Sequence, residues 1–311
     1  MVAYKFKMVV AVAAALLALA PAQAQDKPRV GLVMKSLSNE FFKNMADTAR
    51  AYQVKRGDFD LKAVGMKDET DVDSQVVAVE SMTVQKSHII VLAPADSRAM
   101  VAPVVKALKA GIMVINIDVA LDEAAKKKAG IELAFIGPDN REGARLAGDA
   151  LGKALKPGDK VVIIEGNPGA DNGQQRKAGF LDAVKQHGLN LVVSRSAMWG
   201  TDEANQVFTN ILTAHPDIKG VMAANDSMAV GVVKAIDAAG KSGKIKVVGF
   251  DNIPAVRPLI KSGRMLATVD QFGAEMAANA IDLGLKARKS GVPLKGWVKT
   301  PVALVTAADL K

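Results

Sequence analysis

Short apolar runs rich in valine and isoleucine recur along the chain, and they constrain its fold more than any other feature. Most are apolar at nearly every position rather than at alternate ones, which is typical of strands covered on both faces. Segments of helical character separate them, and strand–helix–strand repetition predicts right-handed crossovers and parallel sheets. The predicted strands are 29–34, 61–66, 88–93, 112–117, 133–136, 160–165, 189–194, 220–224, 245–250 and 265–269.

The runs form two sets, one before Gly137-Pro138 and one after it, with no repeat of short period that would indicate a solenoid. The predicted fold class is α/β, with two Rossmann-like lobes in series. Half of the residues are hydrophobic but only 4% are aromatic, and cysteine is absent. Aliphatic side chains must therefore fill both cores, without help from disulfides.

Helix starts are indicated by residues that can cap them. Ser38 is predicted to cap a helix that begins near Glu40, and Asp71 or Asp73 to cap the next one. Asp202 is predicted to cap a third, which runs through Leu212.

The N-terminus has the pattern of a cleaved secretory signal peptide. Lys5 and Lys7 precede an apolar run over 8–20, and the small-residue sequence Ala22-Gln23-Ala24 closes it. The apolar run is too short to cross about 30 Å of hydrocarbon. Residues 1–24 are therefore predicted to be a signal peptide, with cleavage near Ala24 and export to the periplasm.

The chain is basic, with a formal net charge of +9, and loss of the leader would remove two of those positive charges. The lysines are scattered, however, and the densest run, Lys126-Lys127-Lys128, reads as a solvated helix face. No basic helix with interleaved aromatic residues is evident, so no nucleic-acid partner is predicted.

The residues that follow the strands share one chemistry. Open parallel sheets bind ligands beyond the carboxyl ends of their strands. Here those ends supply carboxylates, amides and an arginine, together with the flat faces of phenylalanine and tryptophan. This mixture suits a polyhydroxylated ligand, whose hydroxyls both donate and accept and whose C–H faces lie on aromatic rings.

Eight segments, in this order, resemble the periplasmic sugar-binding proteins of the ribose-binding type over essentially the whole mature chain. They are SNEFF (38–42), LAPADS (92–97), INID (115–118), IGPDNREGARLAGD (136–149), RKAGF (176–180), TAHPDIKGVMAANDSMAVG (213–231), VVGFDN (247–252) and LATVDQ (266–271). The resemblance implies a type I periplasmic-binding fold, with two lobes that are joined by a three-segment hinge and close over one small ligand. It places 26–137 and 272–302 in the N-terminal lobe, and 138–271 and 303–311 in the C-terminal lobe.

The resemblance also implies a function and partners. The chain would bind a monosaccharide or sugar alcohol, as a monomer without a cofactor or metal, and deliver it to the membrane subunits of an ABC importer. It would not be an enzyme. A chemoreceptor is a further possible partner, and an exported sensor of a sugar or quorum signal is the alternative function, ahead of an exported sugar-acting enzyme.

Eleven candidate ligand-binding residues follow from the matched segments and the strand ends. Asn39, Phe41 and Phe42 match the family's Asn-x-Phe-Phe, and Trp199 falls in register with a phenylalanine on the opposite sugar face. Asp118, Asn225, Asp251 and Gln271 match polar ligand residues. Arg176 and Asn172 stand where the glucose/galactose-type relatives place an arginine and an acidic residue, and Lys35 occupies a strand end that is small in the ribose-type proteins.

Two departures from the ribose-type pattern bear on the ligand. Val119 and Gln174 stand where that pattern has arginines, so two planar multi-donor groups are absent. Lys35 could restore one donor. The pattern therefore argues against ribose itself and favours a differently shaped pentose or hexose, or an open-chain sugar alcohol.

Other site chemistries lack their motifs. The glycine-rich stretch that begins at Gly166 does not end in the Gly-Lys-[Ser/Thr] of a phosphate loop, and His88, His187 and His215 are too scattered for a zinc site. A sugar-responsive repressor of the same fold would carry DNA-binding helices where this chain carries its leader. A glycosidase would need a carboxylic acid with a raised pKa beside a second carboxylate, and the sequence offers no such acid.

Overall fold

The computed structural model describes residues 27–310, so the predicted signal peptide lies outside the described residues. Two six-stranded sheets contain all twelve strands of this part. The first sheet has the order β11-β5-β4-β3-β1-β2 and is parallel throughout. Its strands are β1 (Arg29–Ser36), β2 (Asp60–Met66), β3 (Ile89–Leu92), β4 (Met113–Ile117), β5 (Phe135–Pro138) and β11 (Trp297–Thr300).

The second sheet has the order β12-β10-β9-β8-β6-β7 and is parallel except for β12, which runs antiparallel to β10. Its strands are β6 (Lys160–Glu165), β7 (Asn190–Ser196), β8 (Gly220–Ala223), β9 (Lys246–Val248), β10 (Ala267–Asp270) and β12 (Ala303–Thr306). The predicted two-lobed α/β fold is confirmed. The strands β11 and β12, which are short and without a continuous buried apolar run, are additional to the ten predicted.

Ten α-helices and one 3-10 turn connect the strands within the described residues. They are α1 (Glu40–Arg56), α2 (Val72–Val84), α3 (Val101–Lys109), α4 (Glu123–Ala129), α5 (Asn140–Lys153), α6 (Asp171–Gln186), α7 (Thr201–Ala214), α8 (Asp226–Ala238), α9 (Arg257–Lys261) and α10 (Gly273–Ser290), with the 3-10 turn at Pro254–Val256. None of these helices combines the length and apolar character needed to span a membrane.

The chain passes between the sheets three times: between β5 and α5, between β10 and α10, and between β11 and β12. Helix α10 packs on α1 and the first sheet, whereas α5 packs on α6 and the second sheet. Each sheet with its helices forms one lobe, here called the first lobe and the second lobe. The exact lobe boundaries stay a prediction.

Two predicted helix caps are wrong and one is confirmed. Helix α1 is capped by Asn39, whose side chain accepts from the Phe41 amide at 3.0 Å, while the Ser38 hydroxyl bonds that of Ser36 instead. Helix α7 starts at Thr201, and Gly200 is its N-cap residue. Asp202 therefore lies inside the first turn, where its negative charge interacts favourably with the helix dipole but its side chain does not cap the helix. Asp71 caps α2 as predicted, by accepting from Ser74.

Candidate functional site

One cavity lies between the two lobes, at the carboxyl ends of both sets of parallel strands. All eleven residues predicted from the sequence line it, together with Glu69. The lining residues are Lys35, Asn39, Phe41, Phe42, Glu69, Asp118, Asn172, Arg176, Trp199, Asn225, Asp251 and Gln271.

Both lobes contribute to the cavity through the segments that follow their strands. The first lobe supplies the end of β1, the start of α1 and the loops after β2 and β4. The second lobe supplies the first turns of α6 and the residues after β7, β8, β9 and β10. A ligand here contacts both lobes only when they are closed, so contact with the ligand and closure are coupled.

Aromatic rings from the two lobes form the apolar walls. Phe41 and Phe42 are both buried and meet edge to face, with centroids 5.1 Å apart. Trp199 enters from the second lobe, and its ring lies against Gly166 and Gly173, where a Cβ atom would collide with it or crowd it. The Lys35 ammonium lies 5.1 Å from the ring centroids of both Phe42 and Trp199, so it interacts with an aromatic ring of each lobe.

Glu69 holds Lys35 in place. Its Oε2 lies 2.8 Å from Lys35 Nζ, and its Oε1 accepts from Asn39 Nδ2 at 2.9 Å. Both charged side chains are almost fully buried. Because Asn39 also caps α1 through its Oδ1, its two polar ends are committed to the scaffold of the site.

Arg176 is the central cation of the second lobe. Its Nε donates to Asn140 Oδ1 at 2.9 Å and its Nη1 donates to the Ala224 carbonyl at 2.9 Å. The guanidinium lies 3.7 Å from the Phe250 ring centroid, and Nη1 is 3.5 Å from Asp251 Oδ1. Burial lowers the pKa of Arg176, while Asp251 and Asp118 oppose that shift.

Burial is the main cause of the raised pKa values of the carboxyl groups in and behind the site. Loss of solvent raises the pKa of Asp118, although Lys35 and Arg176 act in the opposite direction. Burial likewise raises the pKa of Asp251 to about 7 despite the nearby Arg176, so the expectation from the sequence that no acid of raised pKa is present is wrong. Behind them, Asp226 accepts from Thr268 and from the Ile253 amide, and burial raises its pKa well above the usual range.

Apart from Glu69 Oε2, which pairs with the Lys35 ammonium, four buried polar atoms of the cavity lining have no hydrogen-bond partner within residues 27–310. They are Asp118 Oδ1, Asn172 Oδ1, Gln271 Oε1 and Trp199 Nε1. An unpaired buried polar group costs about 1–3 kcal/mol, so such groups are rare unless they meet something else. Three acceptors and one donor therefore converge on one small space.

The backbone is strained where it presents some of these groups. Asp118, Trp199 and Asp251 have φ values of 62°, 72° and 120°, and none of them is glycine. Such conformations cost of order 1–3 kcal/mol each and concentrate at functional sites. These backbone conformations, which follow β4, β7 and β9, direct the three side chains into the cavity.

The two positions that depart from the ribose-type pattern take no part in the cavity lining. Val119 is fully buried in the hydrophobic core, and Gln174 is exposed on α6, where its side chain donates to the Pro168 carbonyl. Cationic groups reach the cavity from Lys35 and Arg176 instead. The argument against ribose from the two absent arginines therefore stays a prediction.

Sequence reasoning missed Glu69, Asn140 and Phe250. Glu69 lies three residues beyond β2, so the strand-end rule would have found it if it had been applied to that strand. Asn140 and Phe250 have no comparable signal, because they support Arg176 through the fold. No group of side chains suited to holding a metal ion occurs within residues 27–310.

Comparison with known proteins places this chain in a family. The model of the periplasmic binding protein domain matches residues 30–291. A D-ribose/D-allose-binding protein from Pseudomonas aeruginosa is 50% identical over 290 residues, which are 92% of this chain and 91% of that protein.

Solved structures agree. An ABC transporter periplasmic solute-binding protein from Actinobacillus succinogenes, with bound D-allose, has a TM-score of 0.86 and 38% identity, covering 91% of this chain and 99% of that one. An ABC transporter solute-binding protein from Burkholderia multivorans has a TM-score of 0.88 and 49% identity, covering 90% and 99% of the two chains.

These relatives are binding proteins of transport systems, which confirms the predictions of a solute-binding rather than an enzymatic role and of a periplasmic location. The fold predicted from the strand pattern is confirmed by the same comparisons. The chain belongs to the periplasmic binding protein domain family, as a sugar-binding component of an ABC importer.

Proposed function

We propose that this protein binds one neutral monosaccharide, D-allose, in the cavity between its lobes and presents it in the closed form to an ABC importer. The eleven lining residues predicted from the sequence, with Glu69, are the proposed ligand contacts. The observation that carries this proposal is the set of four unpartnered buried polar atoms that face one small space between aromatic walls.

The polarity of these atoms matches a sugar. Asp118, Asn172 and Gln271 each offer an oxygen that needs a donor, and a sugar hydroxyl donates one hydrogen while still accepting. The Trp199 indole N–H needs an acceptor, which a hydroxyl or ring oxygen supplies. The rings of Phe41, Phe42 and Trp199 cover apolar C–H faces.

The charges of the cavity favour a neutral ligand over an anion. Three carboxyls, Glu69, Asp118 and Asp251, face two cations, Lys35 and Arg176. Each cation already has a carboxylate within 3.5 Å, in the Lys35–Glu69 and Arg176–Asp251 pairs. A phosphate or carboxylate ligand would add negative charge to a buried site that has no spare positive charge.

D-allose is proposed over D-ribose on two grounds. The Actinobacillus succinogenes neighbour holds D-allose, whereas the Pseudomonas aeruginosa relative is named for both sugars and does not distinguish them. In addition, Lys35 supplies a donor at an end of the site where the ribose-type pattern has a small residue, which suits a ligand with a further hydroxyl.

Closure is the proposed mechanism of delivery. The ligand-free protein is proposed to be a monomer that is mostly open, and ligand contacts from both lobes shift it to the closed form. A micromolar affinity, about −8 kcal/mol, would cover both contact formation and the cost of closing. The signal peptide is proposed to be removed near Ala24 before this cycle begins. A chemoreceptor is proposed as a second partner that recognises the closed form.

Intrinsic fluorescence tests the site directly, because the chain has only two tryptophans. Trp199 is buried in the cavity, whereas Trp297 is 51% exposed on β11. A Trp297→Phe variant is expected to keep a saturable change of emission on titration with D-allose. Trp199→Phe is its matched control and should lose that change together with much of the affinity.

The ligand class is tested by the same titration, with thermal-shift measurements alongside. D-allose is expected to bind more tightly than D-ribose, and myo-inositol and sorbitol serve as cyclic and open-chain polyol comparisons. Tighter binding of ribose or of a polyol would overturn the proposed sugar but keep the class. Binding of an amino acid or a sugar phosphate in preference to all of these would overturn the class.

Lys35→Met keeps the apolar stem of the side chain and removes its ammonium. We expect the affinity for D-allose to fall about 10- to 100-fold, since hydrogen bonds to charged groups contribute roughly 1.5–3 kcal/mol. Isothermal calorimetry measures this, with Lys43→Met on the exposed face of α1 as the control. Unchanged affinity in Lys35→Met would remove Lys35 from the contact set.

A further inference from the structure

Two loops meet across the mouth of the cleft without touching the ligand cavity. One is residues 95–97 of the first lobe, which follow β3, and the other is residues 167–171 of the second lobe, which follow β6. We call their meeting the rim contact. The Ser97 amide donates to the Gly169 carbonyl at 3.0 Å, and Ser97 Oγ accepts from the Asp171 amide at 2.9 Å.

A third hydrogen bond crosses the cleft at the same place. Asn167 Nδ2 donates to the Ala95 carbonyl at 3.2 Å, while Asn167 Oδ1 accepts from the Gly169 amide and fixes the shape of its own loop. Ser97 and Asn167 are both buried in this arrangement, with 6% and 7% exposure. Opening the lobes would therefore break three hydrogen bonds and expose two buried polar side chains.

The first-lobe side of the rim contact is held rigidly from behind. Gln75, which is fully buried on α2, accepts from the Ala95 amide through its Oε1 and donates to the Met34 and Ala93 carbonyls through its Nε2. The loop at 95–97 is thus fixed to β1 and β3 and presents its polar groups in a preset position.

The fit across the rim depends on the absence of a side chain at Gly169. A Cβ atom there would lie 2.3 Å from Asp96 Oδ2 of the opposite lobe. Asp96 is not free to swing away without cost, because its Oδ1 accepts from the Arg98 and Ala99 amides. Gly169 is therefore explained by close approach of the two lobes rather than by a ligand, whereas Gly166 lies against Trp199 of its own lobe.

The second-lobe side of the rim contact leads directly into the ligand site. Asp171 is the first residue of α6, Asn172 follows it directly, and Arg176 lies in the second turn of the same helix. Bonding of the Asp171 amide to Ser97 thus ties the start of α6, with these two ligand residues, to the first lobe.

We propose that the rim contact, through Ser97 and Gly169, is a latch that sets the affinity of the protein by stabilising the closed form. It rests on the proposed function only in that closure is coupled to sugar binding. Ser97 and Gly169 are positioning residues and contact no ligand. Their loss shifts the open–closed equilibrium by the same factor for every ligand and leaves discrimination between ligands unchanged.

The first test is Ser97→Ala, which removes one hydrogen bond across the cleft. We expect the affinity for D-allose and for D-ribose to fall by the same factor, about fivefold. The change should appear in the dissociation rate and not in the association rate, because the latch forms after the ligand enters. Stopped-flow fluorescence of the Trp297→Phe variant measures both rates.

Ser262→Ala is the matched control, since its hydroxyl bonds the Leu259 carbonyl within the second lobe alone. A change in the ratio of the two sugar affinities in Ser97→Ala, or an unchanged dissociation rate, would overturn the latch. If neither sugar binds the wild type, it is the proposed function that fails, so the two failures are distinguishable.

The second test uses steric conflict and its rescue. Gly169→Ala should weaken binding of both sugars by more than Ser97→Ala does, because the new Cβ meets Asp96. Asp96→Ser shortens the opposing side chain while its hydroxyl still caps the turn, so the double variant should recover most of the affinity. Failure of this rescue, with both single variants folded, would show that Gly169 acts within its own loop only.

Closure itself can be followed with spin labels at Ala124→Cys and Gln174→Cys, because the chain has no native cysteine. Both positions are exposed and flank the rim contact from opposite lobes. With saturating D-allose, the short-distance population should fall in Gly169→Ala and return in the Asp96→Ser, Gly169→Ala background. An equal population in all three would overturn the latch.

Discussion

Replacing Arg176 by methionine is expected to lower the free energy of unfolding by about 3–5 kcal/mol, the usual cost of removing one partner of a buried ion pair. The guanidinium is bonded to Asn140, to the Ala224 carbonyl and to Asp251, and it lies on the Phe250 ring. All of these partners belong to the second lobe, so the loss affects the fold of that lobe whether the lobes are open or closed. Urea denaturation measures it.

The loss of unfolding free energy in Arg176→Met should increase with pH. Arg176 is the main group that opposes the rise in the pKa of Asp251, which is about 7 in its presence. Without Arg176 that pKa rises further. A carboxyl whose pKa is higher in the folded than in the unfolded protein lowers the free energy of unfolding as pH rises above the unfolded pKa. The loss of unfolding free energy in Arg176→Met, relative to the wild type, should therefore be larger at pH 8 than at pH 5.

Arg141→Met is the matched control for this variant. Arg141 forms a two-bond pair with Asp182 in the same lobe, but its side chain is 57% exposed. Exposed pairs contribute little, so its unfolding curve should nearly superimpose on that of the wild type. A similar loss in both variants, or a deficit that is larger at pH 5, would contradict the assignment of Arg176 as the buried central cation.

The Asp118→Asn substitution should weaken ligand binding without lowering the stability of the ligand-free protein. Asp118 Oδ1 has no hydrogen-bond partner among the described residues, 27–310, and burial raises the pKa of this carboxyl. The melting temperature of the ligand-free variant is therefore expected to equal or exceed that of the wild type at neutral pH. Asparagine also tolerates the positive φ of 62° at this position.

The affinity of Asp118→Asn for D-allose should fall about 10- to 100-fold, because a charge-assisted acceptor becomes a neutral one. The stability difference from the wild type should shrink as pH falls toward the ordinary aspartate pKa, where both folded and unfolded carboxyls are protonated. Differential scanning calorimetry with and without D-allose measures both effects.

Asp47→Asn, on the exposed face of α1, is the control and should keep the full ligand-induced shift. A ligand-free Asp118→Asn variant that melts several degrees below the wild type would mean that this carboxylate is structural. Retention of wild-type affinity would remove it from the proposed contacts.

The candidate site was predictable because of a simple geometric rule. Parallel strands end at one edge of a sheet, so residues that follow them meet in space even when they lie far apart in sequence. Lys35 lies at the end of β1, Asp118 and Asp251 follow two other strands, and all three line the same cavity. Their chemistry could be listed from the sequence, but their distances and partners could not.

The errors have a local cause. The helix starts at Glu40 as expected, but the prediction of Ser38 as its cap failed because the residue directly before the first turn is Asn39, and hydroxyl and amide side chains cap almost equally well. The identity of the capping residue matters for function. It commits the Asn39 oxygen to the helix and its amide nitrogen to Glu69, which in turn holds Lys35.

By itself the sequence determined the α/β class, the two sets of strands and the residue types at the strand ends, because apolar periodicity and turn chemistry act over short distances. Only the tertiary structure decided which polar atoms remain unpartnered, which carboxyls are buried beside Arg176, and that Gly169 meets Asp96 across the cleft. Desolvation and close packing depend on neighbours from both lobes, and no single segment of sequence specifies them.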